Sequence, residues 1–184
     1  MSWIFSNVCL ALLPALAGTL LAAPEVSRAG PSESEVKAAF VFQFARFIEW
    51  PPRNVPSHDE FVACVVGSDS LGSVLRSVLS GKTVSRRPVA FREQVGEHQA
   101  SDCDLVFIAG SERKRFGALR EMLAAKGVLT VGDWPGFAAE GGVIGFYTDE
   151  DRVRFEVNVT AAQKAGLVIS SQLLKLARIV TERK

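Results

Sequence analysis

The residues that could do chemistry are few, and most fail on spacing. Gly81-Lys82-Thr83 resembles the end of a phosphate-binding loop. Arg76 stands where that loop needs its first glycine, and the segment follows a helical stretch, not a strand. Ser111-Glu112-Arg113-Lys114 has a Ser-x-x-Lys spacing, but the companion Ser-Asp-Asn and Lys-Thr-Gly motifs are absent. His58 and His98 sit in polar segments with no Cys, Asp or second His at metal-ligand spacing. They read as solvated loop residues. The glycine-flanked loop Gly67 to Gly72 could offer backbone N–H groups to an anion, but it lacks the dinucleotide fingerprint and reads as a turn. Asn158-Val159-Thr160 is a formal glycosylation sequon, and Thr160 is better explained as a helix cap. Nothing pairs a nucleophile with a base. The chain therefore reads as non-enzymatic, with no metal and no cofactor.

The cysteines carry more weight, and their reading depends on the amino terminus. Side chains 1–24 hold no ionisable charge apart from the cysteine, and Val8 to Leu21 is almost wholly apolar. That length suits the apolar region of a signal peptide. Ser27-Arg28-Ala29 places small residues at both positions a signal peptidase reads. The expected division is a signal peptide over residues 1–29 and one domain over 30–184, with cleavage after Ala23 as the rival. Met1 is followed by no Lys or Arg in this segment before Arg28, which leaves an uncleaved anchor as the alternative. Export into the periplasm removes Cys9 and leaves Cys64 and Cys103. An even pair in an oxidising compartment reads as a disulfide, against two unpaired buried cysteines. With 21 basic and 20 acidic residues the net charge is +1, which gives no footprint for nucleic acid.

The elements that must position these residues alternate. Ser32 and Glu35 have capping-box spacing, and Val36, Phe40, Phe44, Phe47 and Ile48 predict one buried helical face, ended by Pro51-Pro52. Phe61 to Val66, Pro88 to Phe91, Asp104 to Ile108 and Val128 to Val131 read as strands. Leu71 to Leu79 and Glu112 to Ala125 read as helices between them. Val143 to Tyr147 and Arg152 to Val157 flank a polar turn and predict an antiparallel hairpin. A short helix capped by Thr160 and Gln163 follows. The last helix is expected over Ser170 to Val180, burying Leu173, Leu176, Ala177 and Val180. The fold class is α/β: a single domain with a partly parallel sheet and an antiparallel edge hairpin.

The same residues resemble the YfiR family of periplasmic regulators. The resemblance runs through Phe44-Ala45-Arg46-Phe47-Ile48-Glu49-Trp50-Pro51, Cys64-Val65-Val66-Gly67 and Cys103-Asp104-Leu105-Val106-Phe107-Ile108. It continues through Pro135-Gly136-Phe137, Gly141-Gly142-Val143-Ile144 and Ala165-Gly166-Leu167-Val168-Ile169-Ser170-Ser171-Gln172. It implies a Rossmann-like sandwich without a dinucleotide, a Cys64–Cys103 bridge and a homodimer. It also implies a repressor that binds the periplasmic sensory domain of a membrane diguanylate cyclase. An OmpA-like outer-membrane lipoprotein with a peptidoglycan-binding domain would sequester it, and cyclic di-GMP and biofilm would then rise. The family's second cysteine pair is missing here. A periplasmic small-molecule sensor, using a pocket at the sheet's end, is the alternative.

Alternation along the second hairpin strand places Arg154, Glu156 and Asn158 on one side, opposite Phe155 and Val157. Three polar residues in a row need solvent, a salt bridge or a partner. Together with Phe146, and with Ser170 and Gln172 from the family's most recognisable stretch, they form the expected partner- or ligand-binding surface.

Overall fold

A computed structural model describes residues 30–51 and 59–182; the expected signal peptide and His58 fall outside the described residues. Ser32 opens α1 (Glu33–Phe47) through a reciprocal capping box with Glu35. The helix ends at Phe47, short of the prolines, because Ile48 turns extended and β1 (Ile48–Glu49) pairs antiparallel with Val168–Ile169. The chain continues with β2 (Phe61–Val66), α2 (Leu71–Leu79), β3 (Thr83–Val84), β4 (Arg87–Arg92), α3 (Glu97–Ala100) and β5 (Leu105–Ile108). Next come α4 (Phe116–Ala125), β6 (Leu129–Gly132), β7 (Ile144–Asp149), β8 (Arg152–Asn158) and α5 (Val159–Lys164). The last elements are β9 (Val168–Ile169), α6 (Ser171–Leu174) and β10 (Arg178–Val180).

Eight strands form the main sheet in the order β10-β8-β7-β6-β5-β2-β4-β3. Five of them, β4-β2-β5-β6-β7, are parallel. Read along the chain, that block has the 2-1-3-4-5 order of doubly wound α/β proteins, with its switch point between β2 and β5. The hairpin β7–β8 is antiparallel as expected, and β10 adds outside it, parallel to β8.

The sheet separates two apolar layers. On one face α1 lays Phe44 against Phe146 and Phe155, with ring centroids 5.7 and 4.9 Å apart. The helix buries Ala38, Val41, Phe44 and Ala45, while Phe40 and Phe47 are half-buried, so the contact face is centred beside the expected stripe. On the other face the Cys64–Cys103 bridge packs with Val106, Ile108, Phe116, Trp134 and Phe137. The bridge ties β2 to the segment entering β5, with Cα atoms 6.2 Å apart across 39 residues. A loop of that size stabilises the fold by about 4 kcal/mol in the chain-entropy model.

Three local expectations are corrected. The expected helix Glu112 to Ala125 begins as a 3-10 turn at Gly110–Glu112, and α4 starts only at Phe116. The cap of α5 is Asn158, whose side chain accepts from the Ala161 N–H, and not Thr160. The expected helix from Ser170 to Val180 stops at Leu174. Leu176 is 72% exposed, and Arg178–Val180 leave the helix to pair with β8. The helical periodicity of this stretch competes with an unpaired strand edge nearby. Two β-branched residues, Ile179 and Val180, suit that edge.

Candidate interaction surface

At the switch point of the doubly wound sheet, the loop after β2 packs closely against the loop after β5. At the carboxyl ends of β2 and β5, a side chain on Gly67 would come within 2.7 Å of both Ser111 and Glu112. Asp69 is engaged with the Leu71 N–H at 2.7 Å. Close by, the Lys37 ammonium binds Glu33 and, at 2.9 Å, Asp133. Burial pulls the Lys37 ammonium down, but its two carboxylate partners outweigh that and hold it above its ordinary value. Asp133 is pushed up by burial, which outweighs Lys37, with Asp69 and Glu33 adding in the same sense. The group locks α1 to the end of β6. No cluster of His, Cys, Asp or Glu suited to a metal occurs among the described residues.

The segment from Asp133 to Gly142 is a plug. Phe137 lies tilted against Phe116 and edge-on to Trp134, with ring centroids 4.6 Å apart in each pair, and its ring lies where a Cβ on Gly132 or Gly142 would be. Only glycine permits that approach at both positions. Trp134 Nε1 donates to Glu140 at 3.0 Å, and Asn158 Nδ2 donates to the Ala138 carbonyl at 2.8 Å. The aromatic and glycine pattern of this loop is therefore packing.

The polar row on β8 divides. Asn158 is fully buried and spends both ends of its amide, on Ala138 and on the α5 cap. Glu156 is 4% exposed, and its carboxylate holds Arg178 of β10 at 2.6 Å. Arg154 is exposed. Phe146 is buried beneath α1. Ser170 caps α6 through its hydroxyl at 3.3 Å, and Gln172 on that helix is exposed. Of the six expected residues, Arg154 and Gln172 therefore present fully exposed side chains.

Beside them lies a surface that periodicity did not flag. The exposed large apolar side chains among the described residues are Val168, Leu176 and Ile179, all in the last elements. Leu176 lies in the turn between α6 and β10, and Ile179 within β10, whose outer edge has no strand partner among the described residues. The Arg178 guanidinium lies 3.8 Å from the centre of the Tyr147 ring, and Tyr147 is paired across the hairpin with Arg154. This gives an open strand edge with the Tyr–Arg pair on one face and Ile179 exposed on the other, geometry that suits a protein partner better than a small ligand. The signal that could have revealed it is the pair Ile179-Val180 after a short helix.

The parallel 2-1-3-4-5 block and the helices that cover it define a doubly wound α/β domain. A family model described as YfiR/HmsC-like matches residues 34–178, and the chain belongs to that family. The family is one of periplasmic regulators in cyclic di-GMP signalling, and it is regulatory, not enzymatic. A search of curated proteins finds no match. Among solved structures, the chain is similar to a conserved domain protein from Vibrio cholerae O1 biovar eltor str. N16961. The TM-score is 0.57 at 11% identity, over 82% of this chain. That likeness concerns the fold, and the chain spans only 61% of that structure's length. No helix among the described residues is long and apolar enough to cross a membrane.

Proposed function

We propose that this protein is an exported periplasmic repressor, freed of a signal peptide over residues 1–29. It binds the periplasmic sensory domain of an inner-membrane diguanylate cyclase, and an OmpA-like outer-membrane lipoprotein removes it by sequestration. Family membership supports the pathway. The observation that carries protein binding is the open β10 edge, with Ile179 exposed on one face of the strand, Arg178 on the other, and Leu176 exposed in the turn that leads into it. Exposed apolar residues on an unpaired strand favour a partner that supplies apolar contact and backbone pairing. Of the expected residues, Arg154 and Gln172 remain exposed for contact, whereas Phe146, Asn158 and Ser170 serve packing and helix caps. Glu156 anchors Arg178. The homodimer remains part of this proposal.

The test is affinity of the mature domain for the cyclase's periplasmic domain, read beside a melting curve. Leu176→Asp with Ile179→Asp is expected to abolish binding without shifting the melt, and gene deletion to raise cyclic di-GMP where the cyclase is present. Undiminished binding by that double variant would refute the edge as the working surface. Unchanged cyclic di-GMP after deletion would refute the repressor role.

A further inference from the structure

A second site lies on the far side of β6, in a cleft between α4 and α5. Arg120 from α4 and Lys164 from α5 converge there on one carboxylate, that of Glu182. Arg120 Nη1 donates to Glu182 Oε1 at 2.6 Å and Lys164 Nζ donates to Oε2 at 3.1 Å, so each oxygen is held by a different cation. The same Nη1 also reaches the Glu140 carbonyl at 2.5 Å.

The cleft is shaped around the guanidinium. Gly141 has φ +98, and a Cβ there would collide with Arg120. The backbone gives way to seat the arginine, at a position where side-chain-bearing residues are strained. The guanidinium also has capacity to spare. Its Nε is buried without a hydrogen bond, because Glu121 Oε1 at 3.4 Å is not aligned to accept. A guanidinium beside a lysine suits a carboxylate that gives one oxygen to each cation, as Glu182 does here.

Glu182 follows β10, a strand of three residues whose Ile179 is 51% exposed. We propose that the Arg120–Lys164 cleft is a carboxylate-binding site, with Glu182 as its built-in occupant. An external carboxylate competes for it and frees the segment beyond β10. The inference does not depend on the cyclase reading. A carboxylate tethered two residues beyond β10 acts at an effective concentration of order millimolar, so an external ligand meets it as an intramolecular competitor.

The experiment follows the Arg120 Nε–H and the Gly141 amide by NMR as the mature domain is titrated with succinate. Glu182→Ala is expected to respond at about tenfold lower succinate than the unaltered chain. Adding Arg120→Ala should remove the response. Should that variant fail to fold, Lys164→Ala on the Glu182→Ala background should weaken it instead. Neutral succinamide should leave both signals unmoved. A tetraglutamate peptide saturating before succinate would point to an acidic protein segment as the source, and the reverse order to a free acid. No saturable shift in Glu182→Ala, or a shift equal to that with succinamide, would overturn the proposal.

Discussion

The plug at Asp133 to Gly142 and the edge strand β10 both border the β7–β8 hairpin, and they spend their apolar residues in opposite ways. The plug buries Phe137 completely and satisfies its polar groups through Trp134, Glu140 and Asn158. The edge leaves Leu176 and Ile179 in solvent and is held by Arg178, stacked on Tyr147 and bound to Glu156. The plug has the more elaborate sequence pattern, yet its residues are consumed by packing. The edge has a plain pattern and retains surface to offer. A distinctive motif therefore marks where the backbone is constrained, while binding capacity is found where apolar surface stays uncovered.

The largest expected effect falls on the plug. Phe137→Ala should lower stability by about 3–5 kcal/mol, as for a fully buried phenylalanine, and Gly142→Val should be comparably severe because the ring is evicted. Urea unfolding of the mature domain checks both. A loss below about 1 kcal/mol would mean the slot is not the anchor described.

Asn158→Ala comes next. It removes the α5 cap and leaves the Ala138 carbonyl buried without its donor, and should cost about 1–3 kcal/mol in the same assay. Near-neutral behaviour would return Asn158 to the list of surface residues and blur the contrast.

The edge should respond in the reverse sense. Leu176→Asp and Ile179→Asp should each change stability by less than about 0.5 kcal/mol, since both side chains are already exposed. Each should weaken partner affinity about tenfold or more, a loss of about 1.4 kcal/mol. A large drop in melting temperature would show that the edge is a core element after all.

The smallest effect is a pH response. Lys164 first and Arg120 second hold the Glu182 carboxyl below its ordinary value, against burial. A lowered carboxyl contributes stability that is fully present above its unfolded value and is lost as pH falls through the folded one. The contribution should be about 1 kcal/mol or less and should disappear on acidification below the usual carboxylate range. Asp133 acts oppositely. Its raised value favours the folded protein as pH falls toward and below that value. Comparing Glu182→Gln with Asp133→Asn in acid melts separates the two, and parallel pH profiles would refute the assignment.

Much of the fold was legible because local rules and tertiary packing agree. Ser32 and Glu35 cap α1 as their spacing requires, and Leu71–Leu79 and Phe61–Val66 form the expected elements without revision. The alternation of apolar strands and helices is enough for a doubly wound sheet, since each strand must be covered on both faces. Pairing of Cys64 with Cys103 followed from the count of cysteines left outside the expected leader, and the structure joins them.

What the sequence determined by itself is thus the main helices and strands from α1 to the β7–β8 hairpin, their order and the bridge, all governed by short-range periodicity, capping and counting. Only the tertiary structure decided the fate of the polar row. Alternation placed Glu156 and Asn158 on one face but could not say that the loop bearing Ala138, and Arg178 of β10, would cover and neutralise them. It likewise could not convert Arg178–Val180 from helix to strand, because the competing interaction is the open edge of β8, more than twenty residues away along the chain. Local periodicity measures which face of a segment is apolar. What lies against that face is set by long-range pairing, whose gain is realised only once the whole sheet has assembled.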